Sequence, residues 1–146
     1  NEIEASGKSY GYHLLSQKTE LPPAVIAQQF ALEDGAHLLH VIALHEADDK
    51  PYVLEDRWIN SAVMSSLEKV SFAELSANEW LLQNTPFTHG DIDFCAKNAS
   101  RREATILATE PGTALFVISR TTWDYNITLT MVELVFHAGH YKHTKL

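Results

Sequence analysis

The polar side chains best placed to bind a small molecule lie in one alternating stretch of sequence, from His37 to Asn60. It reads HLLHVIALHEADDKPYVLEDRWIN, with an alternating run on each side of Asp48 and Asp49. This pattern predicts two antiparallel strands joined by a two-residue turn. In an unbroken register, position 45 lies opposite 52, 43 opposite 54 and 41 opposite 56. One face is then predicted to carry Val41, Ala43, His45, Tyr52, Leu54, Asp56 and Trp58, and the other His40, Ile42, Leu44, Val53, Glu55, Arg57 and Ile59.

Both predicted faces of this hairpin mix polar and apolar side chains. A hairpin that only covered a core would present one apolar face, so we interpret this one as the wall of a binding pocket. The alternative is that Glu55 and Arg57 form a solvated ion pair on an exposed sheet surface.

A second candidate is Glu133, the one acidic residue in the apolar run Thr130–Phe136. A carboxylate is costly to bury unless a cation or several donors meet it. Arg120 could pair with it across a second hairpin, or Glu133 could face water at a sheet edge.

Ser76 is a third candidate, because Ser76-Ala-Asn-Glu79 has the spacing of a capping box and precedes an apolar segment. This predicts a helix start whose backbone N–H groups could bind a small carboxylate. Ordinary capping explains the same pattern.

These residue types suit recognition of a small, planar, partly anionic molecule, with donors for a carboxylate, acids for an N–H, and aromatic walls at Tyr52 and Trp58. No nucleophile with a neighbouring base is evident, so the sequence favours binding over catalysis. It contains eight histidines, but His137-x-x-His140-x-x-His143 has no cysteine or carboxylate at ligand spacing, so we expect no metal and no cofactor. Nucleotide-binding and common hydrolase motifs are absent from the sequence.

Composition narrows the function further. The 146 residues fit one domain, and 11 Lys and Arg against 19 Asp and Glu give a net charge of −8, which disfavours nucleic-acid binding by this chain. The sequence has no signal peptide and no apolar run long enough to span a bilayer. A single cysteine, Cys95, fits a reducing cytoplasm, and we expect it to be half-buried in a strand.

The remaining periodicity predicts the elements that must position these residues. We expect strands at 10–19 and 85–97, with a bulge at Gly90, and helices at 24–30, from Ser76 onward, and at 100–108. A second hairpin is expected at 114–123 and 127–137. This order predicts an α+β fold, a mainly antiparallel sheet with flanking helices.

Four motifs followed by one aromatic residue, Tyr141, carry a family resemblance: PYVLEDRWIN at 51–60, EPGT at 110–113, RTTW at 120–123 and TMVELVFH at 130–137. In this order they resemble the UTRA domain, the effector-sensing domain of GntR-type bacterial transcription repressors of the HutC subfamily. The resemblance extends from about Gly7 to Tyr141. It implies the chorismate-lyase-like fold. Within the subfamily the motifs are most similar to histidine-utilisation repressors, whose inducer is urocanate.

The resemblance also implies an effector cleft beside the sheet. Its ligand positions correspond to Ala43 and His45 on the second strand, Ser76 at the helix start, Glu133 on the last strand, and Tyr141. Sugar-phosphate sensors of this family have an Arg-x-Arg pair at the positions of Ala43 and His45, so a phosphosugar effector is disfavoured.

Repressors of this kind carry an N-terminal winged helix-turn-helix domain, which is missing from this sequence. We expect residues 1–9 to be a linker or disordered N-terminus and residues 10–146 to form the sensing domain. The resemblance implies a cytoplasmic homodimer that reaches operator DNA only through the missing domain and does not contact a membrane.

The leading hypothesis is therefore a binding domain, with no catalytic residues, for urocanate or a related small carboxylate. Ser76 and its helix, with His45, are expected to hold the carboxylate, and Glu133 or Asp56 to accept the imidazole N–H. The hypothesis requires His45, Ser76 and Glu133 to face one small enclosed space that lacks paired guanidiniums. The full expected ligand-binding set is His45, Tyr52, Asp56, Arg57, Trp58, Ser76, Glu133 and Tyr141.

Two alternatives stay open. One is a chorismate-lyase-like enzyme on the same fold, in which Arg57 or Arg120 binds a doubly anionic substrate and Glu133 is the acid. The other is a structural dimerisation module with an empty groove.

Overall fold

A computed structural model describes residues 1–64 and 66–146, apart from the side chain of Glu68. Two 3₁₀ turns, Ser61–Val63 and Leu67–Lys69, follow the third strand. In chain order the helices and strands are α1 Glu2–Ala5, β1 Tyr10–Glu20, α2 Ala24–Gln29, β2 Leu38–Ala47, β3 Lys50–Ile59, α3 Ala77–Asn84, β4 His89–Asn98, α4 Arg101–Leu107, β5 Ala114–Asp124 and β6 Ile127–Phe136.

The strands form one six-stranded sheet in the order β1-β2-β3-β6-β5-β4. Each neighbouring pair is antiparallel. The predicted α+β class and the antiparallel sheet with flanking helices are therefore confirmed. Of the helices that the structure describes, none has the length and apolar character needed to cross a membrane.

The first hairpin contains a β-bulge that the sequence analysis did not predict. Ala47 pairs with Lys50 and Glu46 with Pro51, as expected for a turn at Asp48 and Asp49, but His45 then pairs with Val53. Tyr52 is the extra residue, and its carbonyl accepts a hydrogen bond from the His137 N–H at 2.9 Å. Proline cannot donate to a ladder and is found in strands mainly at edges and bulges, so Pro51 favours this irregularity.

Because side chains alternate along a strand, the bulge exchanges the two faces of β3 relative to β2. Ala43 lies opposite Glu55, and Val41 opposite Arg57. The predicted faces were therefore wrong for β3. Val41, Ala43 and His45 share a face with Val53, Glu55, Arg57 and Ile59, and we call this the cavity face. Asp56 and Trp58 lie on the opposite face.

The second hairpin has a bulge of the same kind at Leu129, between the pairs Trp123–Thr128 and Thr122–Thr130. The Leu129 carbonyl accepts from the Asn60 N–H at 2.8 Å. Beyond the bulge, Glu133 lies opposite Ser119, and Arg120 lies opposite Val132. Arg120 and Glu133 therefore point to opposite faces, and the predicted pairing between them was wrong.

Each face of the sheet is covered differently. Over β2 and β3, the cavity face packs against the segment that leads into α3, through Met64, Leu67, Phe72, Trp80 and Leu81. The opposite face packs against α4 through Ala104 and Leu107. It packs against the end of α2 through Phe30, which meets Leu38 and Trp58. The part of the cavity face over β6 and β5 lies beside these covering segments and borders the cavities described below.

Some predicted boundaries differ from the structure. Residues 1–9, expected to be a linker or disordered end, include α1, whose Ile3 is buried. β4 begins at His89 and pairs with β5 without interruption, so the predicted bulge at Gly90 was wrong. Cys95 is exposed, because β4 is an edge strand that lies beyond both covering layers.

Candidate functional site

Cross-strand pairing places two arginines in one row of the cavity face. Arg57 on β3 lies opposite Val132 on β6, which lies opposite Arg120 on β5. Residues directly opposite in antiparallel strands project to the same side. The two guanidiniums therefore rise from the same side of the sheet, with one apolar residue between them.

Arg57 is also the first of four polar side chains that are linked to one another by hydrogen-bonding contacts. Arg57 Nε donates to Glu55 Oε2 at 2.7 Å. His45 Nε2 lies 2.7 Å from Glu55 Oε1, and His45 Nδ1 lies 2.7 Å from the Tyr10 hydroxyl. Because ionised Glu55 can only accept, Nε2 carries a proton, and Nδ1 faces the Tyr10 hydroxyl.

Glu55 is the buried acid of this site, with 2% of its surface exposed, and Arg57 is 3% exposed. Burial acts to raise the pKa of Glu55, but the attraction of Arg57 and the hydrogen bond from His45 outweigh it and lower this pKa to about 2. Glu55 is therefore ionised at neutral pH. Burial, together with repulsion from Glu79 and Glu55, raises the pKa of Tyr10 to about 12, so its hydroxyl keeps its proton.

Arg120 has no comparable acid. In the described part of the chain, which leaves out residue 65 and the side chain of Glu68, Arg120 makes no hydrogen bond or ion pair, although it is only partly exposed. Burial and then repulsion from Arg57 lower the pKa of Arg120. With Glu55 bonded to Arg57, the row itself carries a surplus of one positive charge, and the carboxylates of Glu2 and Glu79 line other parts of the inner cavity described below. Such a surplus favours a bound anion.

The start of α3 borders the same region. The buried Ser76 hydroxyl accepts from the Glu79 N–H at 3.2 Å, which confirms the predicted helix cap. Its hydroxyl hydrogen remains able to donate. Asn78 and Glu79, in the first turn of the helix, point to the same region as Ser76, as shown by the cavities that they line.

Two adjoining cavities lie over this face. The inner cavity has a volume of about 180 Å³, and the outer cavity about 510 Å³. Both are lined by Arg57, Asn78 and Arg120, which therefore form the boundary between them. Besides these three residues, the polar part of the inner lining is Asn1, Glu2, Tyr10, His45, Tyr52, Glu55, Ser76 and Glu79.

The structure brings together four of the eight residues predicted to bind a ligand. His45, Tyr52, Arg57 and Ser76 all line the inner cavity. Asp56, Trp58, Glu133 and Tyr141 do not lie there. The expectation that His45, Ser76 and Glu133 face one space holds for the first two and was wrong for Glu133.

The four misplaced residues have other partners or none. Asp56 Oδ1 lies 2.6 Å from His40 Nε2, and Glu133 accepts from Lys97 Nζ at 2.9 Å, both on the face opposite the cavities. Trp58 stacks on His40 with ring centroids 3.7 Å apart. Tyr141 is 80% exposed beyond the end of β6. The bulge at Tyr52 explains Asp56 and Trp58, since it reverses the face predicted for β3. Glu133 pairs with Asp56 and therefore shares its face.

Sequence reasoning did not place Tyr10, Glu55, Asn78, Glu79 and Arg120 in the binding site. Pro51, next to a predicted turn, was the signal that could have indicated the bulge and with it the inward face of Glu55. Arg57 and Arg120 both line the inner cavity, so the expectation of a space that lacks paired guanidiniums was wrong. The absence of arginine at Ala43 and His45 therefore no longer argues against a phosphosugar. No group of three His, Cys, Asp or Glu residues in the described part of the chain is arranged to hold a metal ion.

Comparison with known proteins identifies related chains. The family model described as the UTRA domain matches residues 5–142. The histidine utilization repressor of Pseudomonas aeruginosa is 27% identical over 139 residues, which cover 95% of this chain and 55% of that protein. The chain spans about half the length of the curated relatives that it matches.

Two solved structures have the same fold. The C-terminal domain of the histidine utilization repressor from Pseudomonas syringae pv. tomato has a TM-score of 0.86 at 24% identity, with 94% of this chain and 99% of that chain covered. The effector domain of PhnF from Mycobacterium smegmatis has a TM-score of 0.84 at 19% identity, with 97% and 89% covered.

Proposed function

Because the chain belongs to the UTRA domain family, we propose that it is the effector-binding domain of a transcription repressor of the GntR type, HutC subfamily, and that its effector is urocanate or a related small carboxylate. The observation that carries this proposal is the row of two guanidiniums, Arg57 and Arg120, of which Glu55 balances only one. The relatives named histidine utilization repressor support the choice of urocanate as the first ligand to test.

The charge of the site favours a carboxylate over a phosphate ester. The row carries one uncompensated positive charge, which a carboxylate neutralises. A phosphate monoester carries about two negative charges at neutral pH and would leave one of them unbalanced near buried Glu55. The carboxylate is therefore expected to bridge Arg120 and the outward N–H groups of Arg57, with the Ser76 hydroxyl as a further donor.

The inner cavity also suits an imidazole ring. Its volume of about 180 Å³ lies below the roughly 300–1,000 Å³ typical of sites for drug-sized ligands, so it favours a small molecule. Glu79 at the helix start is an acceptor for an imidazole N–H. The aromatic ring of Tyr52 supplies an apolar wall. Glu79 thus takes the role first expected of Glu133 or Asp56, and Tyr52 keeps the role of aromatic wall that was expected of it.

Calorimetric titration of the chain at neutral pH tests this function. We expect urocanate to bind at one site and to raise the thermal unfolding temperature. Inorganic phosphate and a sugar phosphate are the control ligands, and both are expected to bind more weakly. Absence of heat and of a thermal shift at millimolar urocanate would refute urocanate as the effector, and tighter binding of the sugar phosphate would refute the carboxylate assignment.

The enzyme alternative, a chorismate lyase, has a cation supply in Arg57 and Arg120 but lacks the proposed acid. Glu133 lies on the opposite face of the sheet, bonded to Lys97. We therefore expect no release of pyruvate when the purified chain is incubated with chorismate. Turnover that is lost in Arg120→Gln would instead support the enzyme.

At the level of the whole repressor, we propose that the chain works as part of a homodimer whose separate DNA-binding domains contact the operator. An effector changes DNA affinity only if it binds one arrangement of the dimer better than the other. Sedimentation of the chain with and without urocanate measures its association directly.

A further inference from the structure

The outer cavity differs from the inner cavity in chemistry as well as in size. Its volume of about 510 Å³ falls within the range of sites that enclose larger organic ligands. Beyond the shared boundary its charged lining is Asp91 alone. The main part of its wall is apolar: Leu81, Leu82, Phe87, Ile92, Leu129 and Val132.

The rim of this cavity holds large apolar side chains that no core covers. Leu82 is 70% exposed, Phe87 52% and Ile92 50%. They come from α3, from the segment before β4, and from β4, and they meet at one concave surface. Contiguous exposed apolar surface in a concavity is typical of a ligand-binding site.

The polar end of this cavity is the boundary formed by Arg57, Asn78 and Arg120. An anion held by the two guanidiniums therefore lies between the polar inner cavity and the apolar outer cavity. A ligand with a charged head and an apolar body matches the outer side, since the head neutralises the surplus charge and the body covers the rim.

We propose that the outer cavity is a second ligand subsite, for aryl or alkyl monocarboxylates, in which Arg57 and Arg120 hold the carboxylate and Leu82, Phe87 and Ile92 cover the apolar body. The subsite rests on the proposed role of these two arginines as the carboxylate anchor. Because one pair of guanidiniums serves both cavities, a ligand in the outer cavity excludes a carboxylate in the inner one. Apolar carboxylates therefore compete with urocanate.

Cinnamate is the matched probe for this subsite. It has the same propenoate group as urocanate, with phenyl in place of imidazole, so the two ligands differ only in the ring, which in cinnamate is apolar and has no hydrogen-bonding group. We expect cinnamate to bind the chain with one-site stoichiometry and to raise the apparent dissociation constant of urocanate in proportion to its own occupancy. Addition of a second ring, as in 4-phenylcinnamate, is expected to strengthen binding, because the outer cavity has room for more apolar area.

Two phenylalanines provide a variant and its control. Phe87→Ala removes an aromatic contact from the rim and is expected to weaken cinnamate about 3- to 10-fold while leaving urocanate unchanged. Phe94→Ala is the control, because Phe94 on β4 is 61% exposed, more than Phe87, but lines neither cavity. It is expected to change neither affinity. Glu79→Gln is the converse variant, expected to weaken urocanate but not cinnamate.

The outcomes separate this inference from the proposed function. Binding of cinnamate that depends on Phe87, with no binding of urocanate, would support the outer subsite while removing urocanate as the effector. Binding of both ligands with equal sensitivity to Glu79→Gln and none to Phe87→Ala would place cinnamate in the inner cavity and overturn the inference. Absence of cinnamate binding at millimolar concentration, or simultaneous binding without competition, would also overturn it.

Discussion

Arg57 donates from Nε to Oε2 of Glu55 at 2.7 Å, two residues back along the same strand, and both side chains are almost completely buried. Alternation along a strand places positions i and i+2 on one face, so the sequence Glu-Asp-Arg puts this pair side by side. A buried ion pair gains little over a well-packed apolar pair, but loss of one member leaves an uncompensated charge. The pair therefore makes this site sensitive to substitution.

The first prediction concerns neighbouring acids on opposite faces of β3. Glu55→Gln leaves Arg57 buried without its counter-charge and is expected to lower the free energy of unfolding by about 3–5 kcal/mol. Asp56→Asn removes a more exposed partner of His40 and is expected to cost about 1 kcal/mol or less. Urea denaturation of the two variants measures both values. Equal losses of unfolding free energy would contradict the assignment of Glu55 to a buried position and Asp56 to a more exposed one on the opposite face.

The second prediction is the pH dependence of the same acid. Burial opposes ionisation of Glu55, but Arg57 and His45 lower its pKa from 4.5 to about 2. A group whose pKa is lower in the folded than in the unfolded chain stabilises the fold above the unfolded value, and this stabilisation disappears as the pH falls toward the folded value. The difference in unfolding free energy between the parent chain and Glu55→Gln should therefore be constant from about pH 7 to about pH 5 and shrink below that.

Glu20 and Glu103 also have lowered pKa values and are present in both proteins, so their effects cancel in this difference. Urea midpoints measured at intervals down to about pH 3 provide the comparison. A difference that stays constant over this range would contradict the assignment of the lowered pKa to Glu55.

The third prediction concerns Arg120, which is expected to lower the stability of the unliganded chain but to raise its affinity for the ligand. Arg120→Gln removes a partly buried cation that repels Arg57, so the unfolding temperature of the unliganded chain is expected to stay the same or rise. Urocanate affinity is expected to fall about 10- to 100-fold, because a charged hydrogen bond is lost. Arg101→Gln, at an exposed position on α4, is the control in calorimetry. A similar loss of affinity in the control would show that the effect is one of overall charge.

The fourth prediction concerns the turn of the first hairpin. Asp48 and Asp49 have φ values of 49° and 62°, in the left-handed region. Asp49→Gly is expected to raise the free energy of unfolding by about 1 kcal/mol, because glycine adopts this conformation without strain. Asp48→Gly is the control, since the Asp48 carboxylate accepts from the Ser9 N–H at 2.8 Å and that contact would be lost. Equal stabilisation by both would show that the Ser9 contact contributes nothing.

Much of the fold was predictable because local signals agreed with it. The turn at Asp48 and Asp49, the cap at Ser76, and the approximate boundaries of both hairpins follow from turn chemistry, capping and alternation. Ser76 is found at the cavity for the same reason, since a cap fixes the position of one residue at a helix end. These are short-range effects, which a single sequence contains.

The site was less predictable because it depends on which set of alternate residues in each strand faces the cavities. One extra residue at Tyr52 and another at Leu129 reverse which side chains face inward, and alternation alone cannot locate either bulge. Glu55 was therefore expected on the wrong face relative to His45, and Glu133 on the same face as Arg120. The row formed by Arg57 and Arg120 spans three strands, so it exists only once the order β3-β6-β5 is known.

Because Tyr52 is the extra residue of a bulge, β3 can be one residue longer or shorter at this point without a change in the side chains that it presents to the cavities. In the observed register, β3 presents the anion of Glu55 and the cation of Arg57 to the cavities. In a register shifted by one residue, it would present Asp56 and Trp58 instead. Deletion of Tyr52 would keep the observed register, because Val53 would then follow Pro51 directly and would still pair with His45. Pro51 lines neither cavity, but it lies next to the bulge that sets which side chains of β3 face the ligand.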